Sequence, residues 1–175
     1  MTNTERYLAI AEKMKQEAGV WRHHPNPNPD PKIPRRAKGS ANNLGEIWAP
    51  KERTLPQLYY VAHEAGHVAH PAHYYPSSVG PWARPALHVI EYEAEQWAHA
   101  AFDRHGLKVP DEVSMEARKC VAIYCVRDGL QFAEVEPEIQ AFIAMYERTM
   151  NLIQPCSLEI RVALIDVAPL EKLAA

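Results

Sequence analysis

The chain has 175 residues, 47% of them hydrophobic and 23% charged, enough apolar mass for a globular domain with a buried core. Its formal net charge of −3 gives no global electrostatic case for binding nucleic acid or an anionic membrane surface. The opening MTNTERYLAIAEKMKQEAGV is charged throughout, and no later stretch approaches the ~20 apolar residues that span a bilayer, so a cytoplasmic protein without a signal peptide is expected.

Residues 4 to 18 place Tyr7, Leu8, Ala11 and Met14 at helical spacing, which predicts an amphipathic helix packed on the core. Residues 21 to 43 carry five prolines in the ten positions from Pro25 to Pro34 and read as an extended loop, because proline denies the backbone its donors. The loop's Lys32, Arg35, Arg36 and Lys38 read as a solvated cluster. LGEIWAP, residues 44 to 50, is a short candidate strand. A helix over about 55 to 70 follows, with Thr54 as cap, Pro56 in its first turn and Pro71 at its end; the segment from there to Pro85 reads as a loop.

PALHVIEYEAEQWAHAAFDRHGL, residues 85 to 107, reads as a second long helix that stops at Gly106. Asp111 or Ser114 caps a third, running to Gly129, and Pro137 opens a fourth over about 136 to 150. The alternation in SLEIRVALIDV, residues 157 to 167, favours a strand over a short terminal helix. Cys120, Cys125 and Cys156 form no CxxC pair and read as reduced thiols. These elements predict a single mainly helical α+β domain over 1 to 175, with a small sheet packed on helices. Residues 21 to 43 form its Pro-rich loop, 44 to 105 its metal-site core, and 108 to 175 its C-terminal helices and candidate strand.

The chemistry concentrates in VAHEAGHVAHPAHYYP, residues 61 to 76. His63 and His67 are four residues apart and share one helix face, where two imidazoles can bind one zinc ion. Glu64, rotated about 100° around the axis, can act on a water molecule at the metal as general base without ligating. A catalytic zinc site needs a third protein ligand and an open position.

Three residues compete for that role. His70 lies seven residues from His63, ~10 Å along the axis, and is a poor ligand. His73 occupies the third-histidine position of an HExxHxxHxxH pattern, in which metzincins carry glycine where this chain has His70. Glu91 stands in a stripe formed by Leu87, Ala94, Ala98 and Phe102, where a carboxylate is costly to bury without a partner. On the same helical wheel Glu93 points to the opposite, solvated side. Glu95 is placed to accept a hydrogen bond from the far nitrogen of a ligand histidine.

HEAGH at 63 to 67 followed by EYEAE at 91 to 95 resembles the HExxH plus ExxA arrangement of gluzincin metallopeptidases, most closely the ImmA/IrrE-type family. The resemblance covers about residues 40 to 105 and implies a zincin-like core. It implies His63, His67 and Glu91 as zinc ligands, Glu64 as catalytic base, and hydrolysis of a peptide bond in a cytoplasmic protein, a regulator or repressor. The second helix ends AFDRHGLKVP rather than in the apolar ending common in that family, and Glu95 stands where many members carry Asn. A helix-turn-helix, attached in some members, has no candidate here. His70, His73, Tyr74, Tyr75 and His88 are all candidate oxyanion donors. The rival readings are a zinc-stabilised protein-interaction module without turnover, and a metal-free interaction protein with structural histidines.

Overall fold

A computed structural model of the chain describes residues 2–25, 39–75 and 83–127, together with residues 137, 139, 140, 143 and 144. The chain divides into two compact units, Met1–Ser114 and Met115–Ala175. The first unit holds three helices and a three-stranded sheet, so the mainly helical α+β expectation holds for the described residues. Among them no helix is long and apolar enough to cross a membrane.

Helix α1, Asn3–Ala18, begins with a capping box: the Glu5 N–H donates to Thr2 Oγ1 at 3.2 Å and the Thr2 N–H to Glu5 Oε2 at 2.7 Å. It ends at Gly19, in the left-handed region at φ +80°. Its buried stripe is Ile10, Ala11, Met14 and Ala18, whereas Leu8, expected on that face, is exposed. The period is the predicted one, with Ile10 in place of Leu8.

Residues 21 to 43, expected to be loop, carry two strands at their ends: β1, Arg22–Pro25, and β2, Ser40–Ala41. Both pair with β3, Glu46–Ala49, in the order β1-β3-β2. β1 runs parallel to β3, with Arg22 opposite Glu46, and β2 runs antiparallel, with Ser40 opposite Trp48. β3 alternates, with Ile47 and Ala49 fully buried and Glu46 and Trp48 partly exposed. The basic cluster from Lys32 to Lys38 and the strand expected over 157 to 167 lie outside the described residues.

Lys15 reaches from α1 to the segment after β3, where its Nζ donates to Glu52 Oε1 at 3.2 Å. His23 Nδ1 lies 3.0 Å from the same oxygen, and its Nε2 donates to the Ala49 carbonyl at 2.9 Å. Burial raises the Glu52 pKa, but the His23 hydrogen bond, the backbone and the Lys15 and His23 charges outweigh it and hold it at about 2. A folded-state value below the unfolded ~4.3 stabilises the fold above that pH and loses the contribution as pH falls towards 2. Glu52→Gln is therefore expected to cost about 2 kcal/mol at neutral pH, because buried Lys15 is left with Glu12, 2.6 Å from its Nζ, as its remaining carboxylate, with a smaller deficit in acid. Urea unfolding at neutral and acid pH measures both; an equal deficit at the two would refute the ionic account.

Helix α2, Leu55–Ala69, starts where Thr54 Oγ1 accepts the Gln57 N–H at 3.4 Å and Pro56 occupies the first turn. Leu58, Val61, Ala62 and Ala65 are fully buried. The helix stops at His70 because Pro71 follows, and a 3-10 turn, Pro71–Tyr74, folds the chain back where a loop was expected. Helix α3, Leu87–Arg104, packs on α2 with Ala94, Ala98, Ala101 and Phe102 buried. Past its end Gly106, at φ +64°, allows the Leu107 N–H to return to the Phe102 carbonyl at 2.9 Å. The charged ending is used in the fold: Arg104 Nη2 and His105 Nε2 each lie 2.9 Å from a Glu17 carboxylate oxygen on α1.

Helix α4 spans Asp111–Arg127, so Asp111 is its first residue rather than its cap. Ser114 lies inside the first turn, with its hydroxyl 3.2 Å from His99 Nε2. In the second unit Val121, Ala122 and Cys125 are buried and Cys120 is exposed. The described positions 137, 139, 140, 143 and 144 are helical, as the expected fourth helix requires.

Candidate metal centre

The i, i+4 spacing on α2 sets His63 one turn from His67, with the rings edge to face and their centroids 5.0 Å apart. From α3, Glu91 Oε2 reaches to 3.3 Å from His63 Nε2 and 3.9 Å from His67 Nε2. One donor atom from each of His63, His67 and Glu91 lies within 4.8 Å of the other two. A tetrahedral ion with bonds of ~2.0–2.1 Å needs its ligand atoms about 3.4 Å apart, so the set fits a divalent cation with small contraction. His63, His67 and Glu91 thus converge as the sequence predicted.

The close approach of the two helices has a local cause. A Cβ on Gly66 would stand 2.7 Å from the Ala94 carbonyl oxygen and 3.0 Å from its Cα, so only glycine admits the α3 backbone here. Gly66 is adjacent to His67, and Ala94 is one turn from Glu91. The crossing point of the helices therefore sets the distance between histidines and carboxylate.

Electrostatics at the three donors follow from burial and mutual charge. Burial opposes a charge on His63, but the Glu91 hydrogen bond and the Glu64, Glu91 and Glu95 charges hold its pKa above the ordinary value. Burial likewise raises Glu91, while the His63 hydrogen bond and the His63, His67 and His73 charges bring it below the usual carboxylate range. Burial and the His63 charge depress His67 to about 3, so His67 is neutral and keeps the lone pair a ligand needs. A cation entering this set competes with the proton between His63 and Glu91, which couples binding to proton release.

Glu64 is buried beside these three donors, with burial first and Glu91 second pushing it up to about 7 against the pull of His63. The chain entering β2 passes directly over it: a Cβ on Gly39 would overlap the Glu64 carboxylate, standing 2.6 Å from Cγ. The charge of the same carboxylate is felt at Tyr74, on the 3-10 turn. Burial and the Glu64 charge raise its phenol to about 12, and its hydroxyl has no hydrogen-bond partner among the described residues.

The remaining histidines take other positions. His70 donates from Nδ1 to the Gly66 carbonyl at 2.7 Å, capping α2, and is not among the converging donors. His73, the rival third ligand, is buried behind His67, with the two Nδ1 atoms 3.2 Å apart. Its Nε2 lies 2.8 Å from Glu93 Oε2. Glu93, expected on the solvated side of the helix, has its side chain 41% exposed, and the 3-10 turn carries His73 to that flank of α3. Glu95, expected behind a ligand histidine, is buried with Oε1 3.5 Å from His99 Nε2. Glu95 Oε2 and His63 Nδ1 are buried without hydrogen-bond partners among the described residues.

Comparison of the chain with protein-family models, with curated proteins and with solved structures found no match.

Proposed function

We propose that the protein is a zinc-dependent metallopeptidase with a zincin-like core, of the ImmA/IrrE-type gluzincin kind that its HEAGH and EYEAE segments resemble. The observation that carries the reading is the convergence of His63 Nε2, His67 Nε2 and Glu91 Oε2 from two helices, with Glu64 buried beside them. His63, His67 and Glu91 would hold the ion. When bound, zinc supplies Lewis acidity towards a scissile carbonyl and lowers the pKa of water to ~7.

The chain's own residues do the proton work. Glu64, buried beside the three converging donors, accepts the proton of the attacking water and returns it to the leaving amine. Tyr74, whose buried hydroxyl is without a hydrogen-bond partner among the described residues and feels the Glu64 charge, donates to the carbonyl oxygen as negative charge develops there. The substrate class is a protein or peptide, by resemblance a cytoplasmic regulator.

Metal content by mass spectrometry, on protein purified without a histidine tag, tests the site. Wild type is expected to carry about one zinc per chain, and Glu91→Ala to lose it because one of three protein ligands is gone. Zinc at about 100 times its Kd should stabilise wild type by about 2.7 kcal/mol and leave Glu91→Ala unchanged. Full zinc retention in Glu91→Ala would remove Glu91 from the ligand set and the gluzincin reading with it.

A further inference from the structure

We propose that His73 and Glu93 are positioning residues that fix the tautomer and donor strength of His67 through a carboxylate–imidazole–imidazole chain. The inference rests on the metal-site reading above and concerns residues that reading leaves without a role. Its basis is an unbroken series of contacts: Glu93 Oε2 to His73 Nε2 at 2.8 Å, then His73 Nδ1 to His67 Nδ1 at 3.2 Å.

Proton placement along this chain is forced from its outer end. An ionised carboxylate only accepts, so His73 Nε2 carries a hydrogen and donates it to Glu93. Neutral His73 then has a lone pair on Nδ1, which can only accept. His67 Nδ1 must therefore be the N–H, and its Nε2, the atom 3.9 Å from Glu91 Oε2, is left with the lone pair that ligates. The opposite tautomer would set two lone pairs against each other and turn an N–H towards the cation.

The chain is also held mechanically. His73 is 2% exposed, and the His70 ring stacks on it at 5.0 Å and 14°. His70 is itself pinned by its bond to the Gly66 carbonyl at 2.7 Å. Glu93 forms the outer end, with its side chain 41% exposed. The third and fourth histidines of HEAGHVAHPAH thereby serve the second, which explains their presence without making either a ligand. Outer partners of this kind orient a ligand imidazole and raise its basicity, and their loss typically weakens metal binding 10–100-fold.

The test is chelator competition for zinc on wild type, His73→Phe, His73→Gln and Glu93→Gln, with two-dimensional nitrogen NMR of the metal-free wild type to read the His67 tautomer. His73→Phe keeps the bulk and removes both bonds; its Kd is expected to rise about 10–100-fold. His73→Gln, whose amide oxygen can still accept from His67, should recover part of that loss. Glu93→Gln, at a half-exposed position that leaves the core untouched, should weaken binding by at least about threefold and carries the test if His73→Phe fails to fold. The spectrum should show His67 protonated on Nδ1. Values within twofold of wild type in all variants, or His67 protonated on Nε2, would overturn the inference while one zinc per wild-type chain left the site intact. A wild type that binds no zinc would overturn the site itself, and the inference with it.

Discussion

Glu64→Gln is expected to keep about one zinc per chain while hydrolysis of an unfolded reporter protein falls about 10²–10⁴-fold, the range for loss of a general base. Gln matches Glu in shape but cannot take a proton, and neither the ligand atoms nor the helix crossing changes. A structural reading of Glu64 makes no such separation, because it ties any loss of activity to loss of metal or fold. A second measurement on chelated protein tests the same residue without substrate. Glu64 titrates at about 7 in the fold, above the ~4.3 of an exposed glutamate, so between those values the folded state holds a proton the unfolded state has released. Stability from this group is therefore complete below the unfolded value and declines as pH rises through about 7. Glutamine has no proton to lose, so the stability advantage of Glu64→Gln should grow from near zero in acid to about 3 kcal/mol in mild alkali. Equal hydrolysis by the two proteins would remove Glu64 from the reaction. Zinc binding without hydrolysis by either would favour the interaction module.

What the sequence made legible was whatever local chemistry decides. Thr54, Pro56, Pro71 and Gly106 punctuate the helices through caps and missing donors, so α2 and α3 end within a few residues of expectation. Glu91 was readable because a carboxylate in an apolar stripe calls for a partner, and the i, i+4 histidines supply one. Long-range approach was hidden. β1 and β2 are four and two residues long and include Pro25, and they are strands because β3 lies between them rather than through their own propensity. A helical wheel puts Glu93 about 200° from Glu91 and cannot place a turn that returns beside it, so the Glu93–His73 bond had no signal on α3 alone. The nearest hint was Pro71, four residues after His67, which stops α2 and forces the chain to double back. Gly39 lies 25 positions before Glu64, and nothing local announces their contact.

Gly66→Val is expected to destabilise the metal-free protein by about 3 kcal/mol or more and to weaken zinc binding at the same time. Two effects compete at this position. Replacing a mid-helix glycine gains up to about 1 kcal/mol of helix propensity for alanine, less for valine. Against it stands overpacking, about 1–3 kcal/mol for added methylenes where neighbours can yield. Here they cannot yield easily, because the atoms facing a new Cβ are the Ala94 carbonyl oxygen, Cα and carbonyl carbon at 2.7, 3.0 and 3.3 Å, all backbone of a second helix. Overpacking should therefore win even for Gly66→Ala, by about 1–2 kcal/mol, and by more for the branched side chain. Relief requires α3 to move from α2, and Glu91, one turn from Ala94, moves with it away from His63 and His67. The stability loss and the rise in zinc Kd should consequently scale together across Gly66→Ala and Gly66→Val, read by urea unfolding of chelated protein and by chelator competition. A Gly66→Ala protein as stable as wild type would mean that the helices are not in backbone contact there, and the donor distances would lose their structural cause.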